Sequence, residues 1–542
     1  MRASPLQYTM EASPNLVTRL KSALPQDVNI KAYHLSSEPT STNALFSPLP
    51  GGTEETTICE SHFLAISSPE QDDAKEVLVF AIEILIFTTE NLTTLFVSKA
   101  DSSGFSSRVK ASKGLPSVVS TVTSTFVDYL LEPRLNRSRV VLSLFARSQN
   151  QYLFPGSIEN PGKHVLDDRE LVKWWCRVLD QVLRLHSNTS NPPFKSSAHL
   201  VVPGCDKGET RAFFPPSSRR DPTSSPKWNN SYPVELLAAD TSRAPRHLVP
   251  RFPDDPKARF LDDLDGDFVD DQGHWRSVKT LDQFWEMMSY RQECSAGRLV
   301  GFLWLIFSPG QTTHTALAEL DPLVTEQSAV TSQSHASMPT PDNSQAQCHS
   351  EGKINQIPLA DGGGELKNLA SPPSSSPLQD SQQLSSLPNS AIGLSNNHDA
   401  SHTANTIEEH ILQTHAKQSS ATKGQLVLNT SQYQTLMDHL LQMDFAGEEK
   451  AAESTRFWIG TALELTAQSV FGVSIRGERI LTQPSEPEKA PAAPINMLTA
   501  VRKKRKADNI DENVVKPQMV DSISESAVEL LSAAIVRKKP KG

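Results

Sequence analysis

Val77-Leu-Val-Phe-Ala-Ile-Glu-Ile-Leu-Ile-Phe87 is a nearly continuous apolar run. Its length and β-branched content predict an interior strand buried on both faces. Strand-like runs flank it at Thr57–Ile66 and Leu92–Lys99, and further ones lie at Arg139–Ala146 and Arg298–Phe307, with a short one at Leu200–Pro203. Helical spacing separates them. Asn15–Leu24 and Leu115–Leu131 place apolar side chains on one face. A longer helix opens at Asp167, where Glu170 completes a capping-box pair, and another opens at Thr280 with Gln283. This order predicts one α/β domain with a mixed sheet over residues 15–308.

Between Phe307 and Tyr433 the chain has no Phe, Tyr or Trp, and Ser, Gln, Pro, Thr, Asn and His dominate. Such a composition buries too little apolar surface to offset the entropy of ordering it, so residues 309–425 are expected to be a disordered low-complexity linker. Two helical stretches, Ser431–Phe445 and Ala451–Ala467, follow within 426–480. Neither buries a core alone, so they are expected to pack back on the main domain. Residues 481–542 read as a disordered basic tail.

Five widely spaced cysteines (Cys59, Cys176, Cys205, Cys294, Cys348) form no Cys-x-x-Cys pair, which fits a reducing compartment and argues against a disulfide scaffold or a zinc site. His410 and His415 fall in low-complexity sequence and are read as solvated. No signal-type apolar core and no run of membrane-spanning length occurs in the sequence. The formal net charge is -10, yet the tail carries Arg502-Lys-Lys-Arg-Lys506 and Arg537-Lys-Lys-Pro-Lys541. Such clusters point to nuclear import or nucleic-acid contact, and the acidic remainder suits a basic substrate. Phosphate-loop, serine-hydrolase and zinc-protease signatures are absent from the sequence.

One stretch has the makings of a reactive site. In Phe252-Pro-Asp-Asp-Pro-Lys-Ala-Arg-Phe260 two carboxylates sit between prolines, with Lys257 and Arg259 beside them. The prolines fix their own φ and bias the residue before each toward extended backbone. Alone, Pro-Asp-Asp-Pro is commonly an acidic surface turn.

Taken with Phe96-Val-Ser-Lys-Ala-Asp-Ser-Ser-Gly104, Gln151-Tyr-Leu-Phe-Pro155, Lys163-His-Val-Leu166 and Lys173-Trp-Trp175, that stretch resembles the fungal histone acetyltransferase family. This family modifies histone H3 in cooperation with histone chaperones. The tail's Asn496-Met-Leu498 before Arg502-Lys-Lys504 resembles the family's basic C-terminus. The resemblance implies a fold like that of the animal CBP-type acetyltransferases, acetyl-CoA as co-substrate, no metal and a nuclear location. It also implies links to nucleosome assembly, DNA replication, the DNA damage response and transcription regulation. It assigns catalysis to Asp255, the lysine site to Trp175, and an acetylated, buried position to Lys257.

Tyr152 joins Trp175 as the wall that positions the acceptor amine, and Asp255 is either a general base or an orienting group. Cofactor contact falls by resemblance to Ala100, Asp101, Ser102, Arg108, Phe145, Gln149, His164, Val165, Leu166 and Trp174. Val109, Lys110, Ala111 and Ser112 follow by position, because the family pattern lapses after Arg108. Arg108, Lys110 and Lys113 supply cations for the phosphates of coenzyme A. Expected partners are histone H3–H4 and two chaperones, one of the nucleosome-assembly type and one that binds the H3–H4 dimer. The short segment Glu132–Ser138 shifts that choice toward the second. A non-catalytic histone-binding scaffold with the same fold is the alternative.

Overall fold

Strand β4 (Val77–Thr88) lies between β3 (Thr57–Ser68) and β5 (Leu92–Ser102), antiparallel to both. The computed structural model describes residues 15–70, 75–112, 115–135, 138–187, 194–238, 240–291, 298–309 and 419–480. Lys113, Cys294, Cys348, His410, His415, most of the expected linker and the basic tail lie outside the described residues.

The remaining strands are β1 (Asn29–Ser37), β2 (Thr40–Thr42), β6 (Arg139–Arg147), β7 (Phe194–Val201), β8 (Trp228–Asn229), β9 (Val300–Pro309), β10 (Leu426–Leu428) and β11 (Val473–Arg476). Together they make an eleven-stranded mixed sheet in the order β10-β1-β3-β4-β5-β6-β9-β7-β8, with β11 on β1 and β2 on β3. The β5–β6, β1–β10 and β7–β8 pairs are parallel.

Helices cover both faces. On one lie α1 (Leu16–Ala23), α2 (Val118–Leu131) and α3 (Asp168–Ser187), packed against Ile82, Ile84 and Ile86 of β4 and Leu303 and Leu305 of β9. Two short helices, α4 (Lys207–Arg211) and α5 (Val234–Leu237), interrupt the loops that follow β7. On the other face, α6 (Pro256–Asp267) and α7 (Leu281–Met288) pack on Phe302 and Trp304 of β9. There too α8 (Thr430–Leu441) and α9 (Glu448–Thr466) pack on Leu78 and Ala81 of β4 and on Tyr33 and Phe63. Membership alternates along β4 and β9 because successive strand side chains point to opposite faces. All twelve β4 residues except Leu85 are buried, as the apolar run predicts.

The capping boxes form. Asp167 Oδ1 accepts from Glu170 N at 2.7 Å, and Thr280 and Gln283 cap α7 reciprocally. Several features depart from the sequence expectation. Strand β1 has no counterpart in it, since the face that begins with Ile30 and Ala32 continues as polar His34 and Ser36. Strand β7 begins at Phe194, ahead of Leu200. Pro256 opens a helix, its missing N–H being one that a first helical turn leaves unpaired anyway. Described chain resumes at Ser419, ahead of residue 426, where Thr422 is fully buried against Arg134 and Gly424 N donates to Ser36 Oγ at 3.0 Å.

Candidate active site

A β-bulge sets the site. The β4–β5 register runs Glu83↔Lys99 and then Ile84↔Val97, so Ser98 is an extra residue on β5. Bulges re-aim side chains, and here Ser98 and Lys99 both reach Glu83. Glu83 Oε2 accepts from Ser98 Oγ at 2.5 Å and Lys99 Nζ at 2.6 Å, and its Oε1 accepts from Tyr433 Oη of α8 at 2.8 Å. Burial works to raise the Glu83 pKa, but the ammonium of Lys99 and these hydrogen bonds outweigh it and hold the carboxyl below its ordinary value. Burial likewise works against the charge on Lys99, and Glu83 overrides it, raising the lysine.

Lys99 also feels Tyr152 and Asp254, and Asp254 in turn acts on the Tyr152 phenol. The Tyr152 phenol is pushed up, first by burial; Lys99 opposes this, while Asp254 and Glu83 add to it. A polar chain thus runs Tyr433–Glu83–Lys99–Tyr152/Asp254, from a buried interior end to the exposed Asp254.

The two aspartates of the proline-bounded stretch diverge. Asp254 takes φ 58°, the left-handed region that Asp tolerates better than most residues. Asp255 returns to φ -76°, ψ 127° before Pro256 and caps α6. It is fully buried, its Oδ1 accepting from Lys257 N at 2.9 Å and its Oδ2 pairing with Lys257 Nζ. Lys257 is 1% exposed, with Nζ 4.5 Å from the Phe302 ring centroid. Burial drives its pKa down, against the pull of Asp255. Phe252 stacks on Phe96 at 4.3 Å between centroids and anchors the stretch to β5.

Asp101 organises the neighbouring loop. Its Oδ2 accepts from Tyr152 N at 2.8 Å and Leu153 N at 3.0 Å, while its Oδ1 accepts from Lys163 Nζ at 2.6 Å and Ser102 N at 2.7 Å. Asp101 thereby fixes where Tyr152 sits. Phe154 packs edge-on against Phe445 at 4.8 Å, and Phe445 N donates to Pro155 O at 2.8 Å. The segment after the linker therefore braces the same loop.

Of the other predicted residues, Ala100 follows Lys99 on β5 and Phe145 packs on Phe96 at 6.2 Å between centroids. Arg108 pairs with Glu448 of α9 at 2.7 Å and donates to Lys75 O. Val109 is buried in the α1–α3 layer, with Ala111 packed against it, and Ser112 Oγ donates to Asp27 at 2.5 Å. Lys110, Gln149 and His164 are exposed, while Ala100, Phe145, Val165, Leu166 and Trp174 are half-buried. Trp175 is 5% exposed under α3, 4.8 Å from Trp174 between centroids, on the opposite face of the sheet from Lys257. Sequence reasoning did not single out Glu83, Lys99 or Tyr433. Glu83 had a signal, the single charge in the apolar run.

Residues 16–139 and 135–461 match the histone acetyltransferase KAT11-type domain. The chain is 39% identical over 515 residues to histone acetyltransferase rtt109 of Aspergillus flavus, covering 90% of this chain and 88% of that protein. It is 33% identical over 244 residues to histone acetyltransferase rtt109 of Schizosaccharomyces pombe, covering 43% of this chain and 58% of that one. The crystal structure of Rtt109 from Aspergillus fumigatus superposes with a TM-score of 0.62 at 36% identity, covering 86% of this chain and all of that one. The chain is an acetyltransferase and belongs to the KAT11-type histone acetyltransferase family.

Proposed function

We propose that the protein transfers the acetyl group of acetyl-CoA to lysines of histone H3, with Tyr152, Asp254 and Lys99 at the reacting end. An unperturbed lysine has a pKa of roughly 10.4, so about one in a few thousand carries a free amine at neutral pH. Asp254, exposed and outside the Asp255–Lys257 pair, is the carboxylate available to draw in an ammonium and take its proton. The amine then attacks the thioester carbonyl, the carbon–sulfur bond breaks, and the proton that the new amide nitrogen sheds passes to the departing thiolate. Tyr152 supports that transfer, because its raised pKa keeps the phenol protonated beside the Lys99 cation. The observation that carries this proposal is the Glu83–Ser98–Lys99 cluster at the bulge, whose lysine lies in the field of Tyr152 and of the exposed Asp254.

Asp255 is read as an orienting group, since Lys257 holds both of its oxygens. Lys257, buried with a lowered pKa, is the chain's own acceptor lysine. Exposed Lys110 and His164 suit the phosphates of acetyl-CoA, and half-buried Ala100, Phe145, Leu166 and Trp174 suit its apolar part. Chaperones that present H3–H4 and a nuclear, chromatin-assembly role complete the proposal.

The test is acetyl incorporation from labelled acetyl-CoA into H3–H4 with a chaperone present. Tyr152→Phe is expected to lose about 10²-fold or more in rate. If the natural chain transfers nothing and calorimetry detects no acetyl-CoA binding, the protein is a histone-binding scaffold instead.

A further inference from the structure

Glu83 is the innermost acid of the cluster, 3% exposed, and one of its donors comes from 350 residues away in sequence. Tyr433 is itself 7% exposed and lies on α8, beyond the 310–418 stretch. Its hydroxyl reaches Glu83 Oε1 at 2.8 Å, while Ser98 and Lys99 occupy Oε2. The two carboxylate oxygens are thus held from opposite sides, one by the bulge and one by the post-linker helix. A second contact from the same segment, Phe445 on Phe154 and Pro155, steadies the loop that carries Tyr152. The segment after residue 418 thus touches the cluster at its inner end and braces the loop that carries Tyr152.

We infer that Tyr433 is a positioning residue for acetyl transfer: by fixing Glu83 it fixes Lys99, and through Lys99 the Tyr152–Asp254 pair. The site is thereby assembled from both sides of the 310–418 stretch. This deepens the proposed function and rests on Tyr152 and Asp254 being its reacting end. Groups facing Glu83 are Ser98 and Lys99 from β5, Tyr433 from α8, Cys59 from β3, and Tyr152 from its loop. Burial pushes the Cys59 thiol up to about 12 and the Tyr433 phenol well above its ordinary value, so both stay neutral while Glu83 titrates. Losing the Tyr433 donor leaves the Glu83 anion less stabilised, which raises the pH at which it takes a proton and releases Lys99.

The experiment compares the full chain with Tyr433→Phe, Tyr152→Phe, Glu83→Gln and the Tyr433→Phe/Glu83→Gln double variant, measuring kcat and KM for acetyl transfer to H3–H4 across a pH series. Tyr433→Phe is expected to lower kcat roughly tenfold, with KM for acetyl-CoA little changed and the acid limb of the kcat profile moved to higher pH. In the Glu83→Gln background the same change should cost little more, because both act through one carboxylate. The inference is overturned if Tyr433→Phe leaves kcat and the acid limb unchanged while Tyr152→Phe is impaired, or if its loss adds fully to that of Glu83→Gln. Should Tyr152→Phe also be unimpaired, the proposed reacting end fails with it.

Discussion

Asp254 and Asp255 are adjacent and sit in opposite environments, one exposed and one fully buried. Asp255 is shut inside with Lys257, each satisfying the other in a site lined by Phe252, Phe302 and Trp304. Removing one charge of a buried pair leaves the other uncompensated, so Asp255→Asn is expected to cost about 3–5 kcal/mol of stability by denaturant unfolding. Lys257→Arg keeps the charge, but a forked guanidinium does not fit where a slender ammonium sits over the Phe302 ring. Turnover should fall in that variant, and unchanged kinetics would remove Lys257 from any part in activity. The pair of prolines made the right stretch legible in sequence. Which acid stays outside was not legible, because it depends on the left-handed backbone at Asp254 and on the packing of Phe252 against Phe96, a residue far away in the chain.

Elements defined by short-range chemistry were readable and those defined by distant partners were not. The capping boxes at Asp167/Glu170 and Thr280/Gln283 are written within four residues, and both form. The β4 run was readable because both of its faces are apolar. Strands β1, β10 and β11 were missed, since their pairing joins residues such as Leu35 with Leu426 and Ile30 with Ile475. The bulge at Ser98 leaves no mark in composition. Docking of the expected helical pair does depend on one polar contact that can be tested: Thr455 Oγ1 on α9 accepts from Leu78 N of β4 at 2.9 Å, both being buried. Thr455→Val leaves that N–H unpaired and should destabilise the chain by about 1–3 kcal/mol. An unfolding midpoint equal to that of the natural chain would show the contact to be dispensable.

Among the described residues, two buried histidines contribute to the whole molecule's response to acid. His34 is 3% exposed and desolvation holds its pKa well below the ordinary 6.5, with His62 adding to the shift and Glu60 opposing it. Burial lowers His199 to about 4. Each is neutral when folded, whereas the unfolded chain takes up a proton near pH 6.5. Their stability contribution is therefore fully present above about 6.5 and is lost as pH falls, His199 ceasing to add to the loss below about 4. Thermal unfolding should show a declining midpoint over that interval, with a shallower decline in His199→Gln. An identical slope in that variant would contradict the assignment.

On the same scale, the post-linker segment completes the sheet through β10 and the bulge cluster through Tyr433. Everything in the proposed chemistry converges on the exposed carboxylate at the end of that cluster. The most direct test is the pH dependence of kcat for acetyl transfer to H3–H4 by the natural chain and by Asp254→Asn, with substrates saturating. Loss of about 10²-fold or more at neutral pH, with activity recovering as pH rises toward the lysine range, is the predicted result. A variant with the same rate and the same profile as the natural chain would contradict the placing of acetyl transfer at Asp254 and Tyr152.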